Sequence, residues 1–229
     1  MRKSIAIFLA PAIAVLLLSA PLGSLAHGQG INQSNTDLPP LGVYASPSDV
    51  FAQYSGPGLA IVLSDVRLQA FPGATRLPVN GGVDEVEMFS SSLTGLASIN
   101  GGPAQPIAGT GPEEWLTQGH GPAGSQTGTF QTEMLSLDLT VGGGLMIRES
   151  PTLPSLGQTS IAPIGGGMFH VNSFFDVFTE LSLDGGATWM PSNGSSHVNL
   201  VPEPSSVVLF GLGALACVGS MVRRRKNRI

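Results

Sequence analysis

The sequence is almost without cysteine, which limits how its fold can be stabilised. Cys217 is the single cysteine among 229 residues, and it lies in an apolar run close to the C-terminus. The long segment 27–200 therefore contains no disulfide, and a domain of that size can bury a sufficient core without one. We interpret Cys217 as a small apolar residue of a helix, with lipidation of its thiol as the alternative.

Cationic residues are also scarce between residues 27 and 200. This segment has no lysine, and its three arginines, Arg67, Arg76 and Arg148, stand against fourteen acidic residues. Its formal charge is therefore −11, compared with −5 for the whole chain. Such an acidic surface repels phosphate backbones, which excludes nucleic acid as a partner. The same charge suits a protein that stays soluble outside the cell.

The common catalytic and metal-binding motifs are missing as well. The sequence has no Gly-x-Ser-x-Gly elbow and no phosphate-binding loop. None of its four histidines, His27, His120, His170 and His197, shares a metal-type spacing with another, and no cysteine lies near them. We therefore predict no catalytic residue, no metal site and no cofactor, and we expect that the protein is not an enzyme.

The N-terminus has the three parts of a secretory signal peptide. Arg2 and Lys3 precede an apolar run over residues 4–18, and Ser24-Leu25-Ala26 places small residues where signal peptidase reads them. We predict that residues 1–26 are removed by signal peptidase after Ala26, so that the mature chain begins at His27. A retained membrane anchor is the alternative, but the apolar run is short for a bilayer.

The C-terminus combines a proline-rich stretch, an apolar run and a basic cluster. Residues 205–222 would span about 27 Å as a helix, enough to cross a bilayer core. The basic residues that follow keep the end of the chain on the cytoplasmic side, so residues 27–200 are predicted to lie outside. Pro202 and Pro204 keep the preceding segment extended, which leaves it accessible to a processing enzyme.

These three parts, in this order, resemble a PEP-CTERM sorting signal. The resemblance implies that a membrane-embedded exosortase recognises the tail, cuts near it and passes the protein toward the outer surface of a Gram-negative bacterium that makes extracellular polysaccharide. Residues 201–229 are assigned to this signal, with the motif at 202–204, the transmembrane helix at 205–222 and the basic stub at 223–229. The residues assigned to sorting and processing are Pro202, Glu203, Pro204, Arg223, Arg224, Arg225 and Lys226. The alternative is a plain membrane anchor that is never cut.

For residues 27–200 we predict one exported all-β domain, which is β-sandwich-like and has long Gly/Pro-rich loops. This domain lies between the predicted signal helix and the predicted transmembrane helix. Short runs with β-branched and aromatic residues alternate with glycine and proline, and no long amphipathic helix is present. Residues 27–48 are interpreted as an N-terminal arm or first loop.

The clearest predicted strand covers residues 129–141, where period-two alternation places Phe130, Met134 and Asp138 on one face and Leu137 on the other. Further assignments are strands at 58–71 and 83–89, a partner strand at 144–149, a bent strand or strand pair at 168–183, a closing strand at 198–201, and a long loop at 100–128 with a short helix at 112–118.

The stretch SLDGGATW is the most specific motif of this domain. Ser182, Asp184, Gly186, Thr188 and Trp189 have the spacing Ser-x-Asp-x-Gly-x-Thr-Trp, which resembles the Asp box of sialidase-like propellers. In that family the box is a structural hairpin, repeated once per blade and distant from the active site. The single copy here predicts a stabilised hairpin, in which the Asp184 carboxylate accepts backbone N–H groups and Trp189 packs beneath.

Three alternative hypotheses assign chemistry to particular residues. The acids Asp84, Glu85 and Glu87, or Glu113 and Glu114, could supply two carboxylates for glycoside hydrolysis. Asp176, Glu180 and Asp184 could line a calcium site, although their spacing is not that of an EF-hand. His27, as a free N-terminus, could bind copper together with His120, His170 or His197. Solvated strand faces and an ordinary N-terminus account for the same residues.

The sequence therefore favours an exported, non-enzymatic protein with a structural or adhesive role at the cell surface or in an exopolysaccharide matrix. Its expected partners are signal peptidase, exosortase, the membrane that holds the inner-membrane intermediate, and extracellular polysaccharide. The alternative is a carbohydrate-binding or carbohydrate-active module that uses Trp115 or Trp189 as a stacking platform. A binding module should expose an aromatic side chain, whereas a structural protein should bury both tryptophans.

Overall fold

A computed structural model describes residues 30–202, and its regular secondary structure is almost entirely β-strand. The predicted signal peptide, its predicted cleavage site at Ala26, and the tail from Glu203 onward, with its predicted transmembrane helix, lie outside the described residues. The strands are β1 (Ile31–Gln33), β2 (Val43–Ala45), β3 (Val50–Gly56), β4 (Leu59–Ala70), β5 (Thr75–Val79), β6 (Asp84–Ile99), β7 (Gln105–Thr117), β8 (Gly128–Gly142), β9 (Leu145–Glu149), β10 (Ser155–Gly165), β11 (Met168–Val177), β12 (Thr179–Ser182), β13 (Met190–Pro191) and β14 (Ser196–Val201). A single turn of 3₁₀ helix covers Asn80–Gly82. Across the part of the chain that the structure covers, no helix has the length and apolarity needed to cross a bilayer.

Eight of these strands form a closed antiparallel barrel. The hydrogen-bonded order is β2, β4, β6, β7, β8, β10, β11 and β14, and β14 returns to pair with β2 through Val201 and Val43. The prediction of an all-β domain is confirmed. The single sheet closes on itself instead of forming the two open sheets of the predicted sandwich, because β14 satisfies the free edge of β2.

The barrel has two distinguishable ends. At one end, which we call the tail end, β14 finishes at Val201 and the chain leaves toward the sorting segment. At the other, which we call the hairpin end, the long strands continue into a second ring that includes β3, β9, β12 and β13, and a bridge between Tyr54 and Ser192 joins its two sides. The short strands β1 and β5 pair with β11 and β6, on the same strand edges that β14 and β4 occupy farther along.

An aromatic cluster fills the middle of the barrel. The Trp115 ring lies 4.7 Å from Phe175, 5.0 Å from Phe89 and 5.5 Å from Tyr44, measured between ring centroids. All four side chains are buried, with Trp115 only 2% exposed. The geometries are edge-to-face or tilted, which is the favourable arrangement of aromatic quadrupoles. The interior is therefore a packed core.

The inner face of β8 differs from the alternation that the sequence predicts. Phe130 and Met134 share one face, as predicted, and that face is buried; in the second half of the strand, however, Leu137 and Leu139 are the buried residues, and Asp138 is exposed. The pairing of β8 with β7 shifts register beside these residues. Such a bulge adds one residue to one strand and reverses which face the following side chains take, so the single alternation predicted over 129–141 is wrong beyond the bulge.

The prediction of one long loop at 100–128 with a helix at 112–118 is also wrong, because β7 runs through its middle and covers all but the last residue of the predicted helix. Glycines at 109 and 111 had suggested a loop, but the backbone of β8 passes directly beside both of them. A β-carbon at Gly111 would overlap the carbonyl oxygen of Asp138. Glycine inside a strand marks such a close backbone approach.

The other strand assignments agree with the structure. β9 pairs with β8 across the turn at residues 142–144, β11 and β12 form the bent strand predicted at 168–183, and β14 closes the sheet. The segment interpreted as an N-terminal arm contributes two short strands, β1 and β2, because its backbone satisfies the exposed edge groups of β11 and β4.

Candidate functional site

The loop between β7 and β8 covers the tail end of the barrel and carries His120 inward. The backbone of this loop is fixed to β6 and the turn before it, since Gly119 N donates to Asp84 Oδ1 at 2.7 Å and Gly121 N donates to the Val83 carbonyl at 2.8 Å. A β-carbon at Gly121 would collide with the Gly82 carbonyl, so the approach requires glycine. The His120 ring packs edge-on against Phe130 at 5.1 Å.

Two carboxylates of β6 meet His120 inside this end. Glu85 and Glu87 are two residues apart on one strand, so both side chains take the inner face. The exposed fractions are 7% for Glu85, 0% for Glu87 and 3% for His120. One potential ligand atom from each residue lies within 4.8 Å of the other two, an arrangement that could hold a metal ion. His120 Nδ1 and Glu85 Oε1 are 3.6 Å apart.

Much of the hydrogen-bonding capacity of this cluster is unused. Glu87 Oε2 accepts a hydrogen bond from Thr117 Oγ1 at 3.2 Å. Within residues 30–202, Glu85 Oε1, Glu87 Oε1 and both ring nitrogens of His120 are buried without a hydrogen bond of ordinary geometry. Buried polar groups are almost always satisfied, so each of these atoms calls for an explanation.

Burial also changes the ionisation of the cluster. Loss of solvent raises the pKa of Glu87 to about 8 and raises the pKa of Glu85 above its ordinary value, although the positive charge of Arg76 opposes the rise at Glu85. The same loss of solvent lowers the pKa of His120, which favours a neutral imidazole. Arg76 Nε lies 3.9 Å from Glu85 Oε1 but donates its hydrogen bond to the Leu38 carbonyl at 2.9 Å.

Glu113 is a further buried acid, located beside the aromatic cluster. Trp115 Nε1 donates a hydrogen bond of 2.6 Å to Glu113 Oε1. Burial raises the pKa of Glu113 to about 7, partly opposed by polar contacts from Ser91 and Trp115. Its neighbour Glu114 takes the opposite face of β7, so Glu113 and Glu114, one of the two sets of acids considered for hydrolysis, do not converge.

Replacing Glu113 by glutamine should remove a pH-dependent loss of stability. The raised pKa means that the native state binds the proton more tightly than the unfolded chain, so protonated Glu113 stabilises the native state. This stabilisation is complete below pH 4.5 and is lost as the pH rises through about 7. Relative to wild type, the free energy of unfolding of Glu113→Gln should rise by about 3 kcal/mol between pH 4 and pH 8. Urea unfolding followed by circular dichroism at several pH values measures this difference.

Glu114→Gln is the matched control for this prediction. It makes the same chemical change one residue along the strand, on the outer face, and should leave the pH dependence of wild type unaltered. An equal pH dependence in Glu113→Gln and wild type would contradict the assignment of the buried proton to Glu113.

The Asp-box residues form a hydrogen-bonded hairpin loop at the opposite end of the barrel. Asp184 Oδ1 accepts the backbone N–H of Thr188 at 2.8 Å and the hydroxyl of Ser182 at 2.8 Å, and Asp184 Oδ2 accepts the Thr188 hydroxyl at 2.7 Å. Gly186 N donates to Ser182 Oγ at 2.8 Å, and Gly186 has a φ of 91°, in the left-handed region. These donors lower the pKa of Asp184 to about 2. The carboxylate is thus fully used by its own loop.

The three acids of the calcium hypothesis are separated in the structure. Asp176 Oδ1 pairs with His197 Nδ1 at 2.8 Å, Glu180 Oε2 pairs with Arg148 at 2.6 Å, and Asp184 serves its own turn. The hypothesis of a shared calcium site is wrong for these residues. Of the histidines proposed for copper, His170 bonds Asn32 on the outer surface and His27 lies outside the described residues.

The two tryptophans have different environments. Trp115 is buried in the core and offers no stacking platform. Trp189 is half-buried on the hairpin, and the Arg148 guanidinium covers its ring at 4.0 Å from the centroid. The expectation for a structural protein holds for Trp115, and Trp189 retains part of its surface in solvent.

Sequence reasoning did not bring Glu85, Glu87 and His120 together. The alternation of β6 did contain a signal for the two glutamates. Glu85 and Glu87 are an even number of residues away from Phe89 and Leu93, so all four side chains take the same face of the strand, and the two apolar residues mark that face as buried. His120 could not be added, because its position depends on how the loop before β8 folds over the barrel.

The tail is the part of the chain that comparison with known proteins identifies. Residues 200–226 match the family model of the PEP-CTERM protein-sorting motif. The chain carries a PEP-CTERM sorting motif. Comparisons with curated proteins and with solved structures found no match. The sorting motif marks an exosortase-targeted, exported protein, which confirms the resemblance of the tail to a PEP-CTERM sorting signal. The roles assigned to individual residues of the tail, from Pro202 to Lys226, stay predictions.

Proposed function

We propose that this protein is a structural or adhesive component of the bacterial surface or of an exopolysaccharide matrix, released there by exosortase. The observation that carries the proposal is where the barrel ends. The last strand, β14, finishes at Val201, and the match to the sorting motif begins at residue 200. Cleavage at or beyond Pro202 therefore removes no complete strand and leaves the closed barrel intact.

The composition and packing of the barrel support a non-enzymatic role. Its middle is filled by aromatic side chains, and Glu87 is fully enclosed. A groove of about 430 Å³ lies between the segments 31–41 and 71–76, at the tail end. The acidic surface keeps such a particle soluble once it is released.

A carbohydrate-binding role is the second candidate, and one observation favours it. Trp189 is half-buried, and it is held by Arg148 beside the polar Asp-box loop, a combination of an aromatic face and hydrogen-bonding groups that suits a sugar ring. The carbohydrate-binding surface would then lie at the hairpin end, opposite to the end from which the chain continues into the sorting motif.

The intact mass of the protein recovered from its host, with and without exosortase, tests the proposal. We expect a species that runs from His27 to near Val201 in the polysaccharide fraction, present only when exosortase is active. A mass that includes the basic stub in both strains would refute release. Matrix cohesion should fall when the gene is deleted, and a Trp189→Ala chain should restore it; failure of that variant alone would favour the carbohydrate-binding role.

A further inference from the structure

We propose that Glu85, Glu87 and His120 bind one divalent first-row metal ion, of which Zn²⁺ fits best, inside the tail end of the barrel. Ligand atoms around a tetrahedral zinc ion with bonds of about 2 Å are about 3.3 Å from one another. The 3.6 Å between His120 Nδ1 and Glu85 Oε1 is already close to that distance. Glu87 needs only a side-chain adjustment to join them, since all three ligand atoms lie within 4.8 Å.

The unused polar atoms of the cluster point to an ion. Glu85 Oε1 and Glu87 Oε1 are buried without hydrogen bonds, and the His120 ring has no partner of ordinary hydrogen-bond geometry beyond a polar contact with the Thr36 backbone, whereas most buried polar atoms have partners. One ligand atom from each of the three residues would face a common ion. Because His120 is 97% buried and held by a pinned loop, its ring cannot turn outward to find water.

Charge balance favours a divalent cation. Two carboxylates in a low-dielectric interior are costly unless a positive charge accompanies them, and a divalent ion compensates both. The available cation, Arg76, approaches Glu85 from the rim, where it also faces Asp37 at 3.7 Å. Among the described contacts it reaches no atom of Glu87. With a divalent ion on the two glutamates, Arg76 and Asp37 remain as a balanced pair.

The type of ligand indicates which metal. Calcium and magnesium prefer oxygen ligands alone, whereas imidazole with carboxylates suits zinc and its neighbours in the first transition row. Three protein ligands leave one coordination position for solvent.

The surroundings already orient the ligands. Thr117 Oγ1 donates to the second oxygen of Glu87 at 3.2 Å, and Phe130 packs against the His120 ring. Support of this kind is what fixes ligands in metal sites. The ion would tie the loop that carries His120 to β6, and so act as a structural clasp at the end of the barrel from which the chain continues into the sorting motif.

Metal titration of the full-length chain in detergent, without a polyhistidine tag and after treatment with chelator, tests the proposal. We expect one Zn²⁺ per chain by calorimetry and elemental analysis, and a higher melting temperature with the metal than without it. Co²⁺ should give the visible absorption bands of a four-coordinate ion, and Zn²⁺ should displace it. No saturable binding, or no spectral change with Co²⁺, would overturn the proposal.

Variants locate the site. Glu87→Gln keeps the shape and the Thr117 contact but removes a charged ligand, and His120→Gln removes the imidazole; each should weaken Zn²⁺ binding by more than about 100-fold. Circular dichroism checks that both variants fold. Two control variants should bind Zn²⁺ as wild type does. Glu113→Gln changes another buried acid, and His197→Gln changes the exposed histidine that pairs with Asp176. Undiminished binding in folded Glu87→Gln and His120→Gln, or loss of binding in His197→Gln, would place the metal elsewhere and refute the assignment.

Discussion

Replacing Trp115 by alanine is expected to lower the free energy of unfolding of the exported domain by about 5 kcal/mol. Truncating a buried tryptophan costs about 3–5 kcal/mol through lost burial and the cavity that remains. Here the side chain is 2% exposed and contacts three aromatic rings, so the cavity would open at the centre of the barrel. The change also removes the N–H that bonds Glu113 Oε1, leaving a buried acid without its donor.

Thermal and urea unfolding followed by circular dichroism measure this effect. The melting temperature should fall by about 15 °C, because 1 kcal/mol corresponds to about 2–4 °C in a domain of this size. Trp115→Phe keeps most of the ring packing and should cost less than half as much, the remainder reflecting the lost bond to Glu113.

Trp189→Ala provides the matched control, since it removes the same side chain from a half-buried position on the hairpin. Its cost should be about 1 kcal/mol, mainly from the lost contact with Arg148. Equal losses in Trp115→Ala and Trp189→Ala would contradict the description of Trp115 as the centre of the core.

The strands that could be predicted from the sequence are those whose side chains alternate without interruption. The pairing of β8 with β9 across three glycines and the bend between β11 and β12 follow from turn residues and local pattern. The bulge in β8 could not be predicted, because it depends on the register that β7 imposes, and β7 itself was hidden by its glycines and prolines.

Barrel closure is a property of distant segments. Nothing local in residues 43–45 indicates that they pair with both β4 and β14, more than 150 residues along the chain in the second case. Local pattern predicts strands and hairpins, but an open sandwich and a closed barrel use the same strands, and the difference lies in one long-range pairing.

The two functional regions differ in how far the sequence determines them. The sorting motif is contiguous, so its proline pair, apolar run and basic cluster could be recognised in order. The Asp-box loop is also contiguous, and its turn was predicted from residue types. The cluster of Glu85, Glu87 and His120 is assembled from a strand and a loop about thirty residues apart, and no spacing rule connects them.

Gly111→Ala is expected to disrupt the pairing of β7 with β8. The added methyl group would occupy the position of the Asp138 carbonyl oxygen, an overlap with backbone that no side-chain rotation can relieve. The two strands must separate locally, which breaks hydrogen bonds in the middle of the barrel wall and displaces the neighbouring Glu113 and Trp115. We expect a loss of about 3 kcal/mol or more, and a melting temperature lower by about 10 °C.

Gly194→Ala separates this steric effect from the general effect of removing a glycine. Gly194 lies in an exposed bend, and a β-carbon there would meet no atom within 4 Å. The substitution restricts the unfolded chain and should leave stability unchanged or slightly higher. If Gly111→Ala unfolded at the same temperature as Gly194→Ala, the two strands could not approach as closely as the structure has them. The interpretation of the proline- and glycine-rich segment as a loop would then regain its support, because the glycines of β7 have a structural reason only if β8 lies against them.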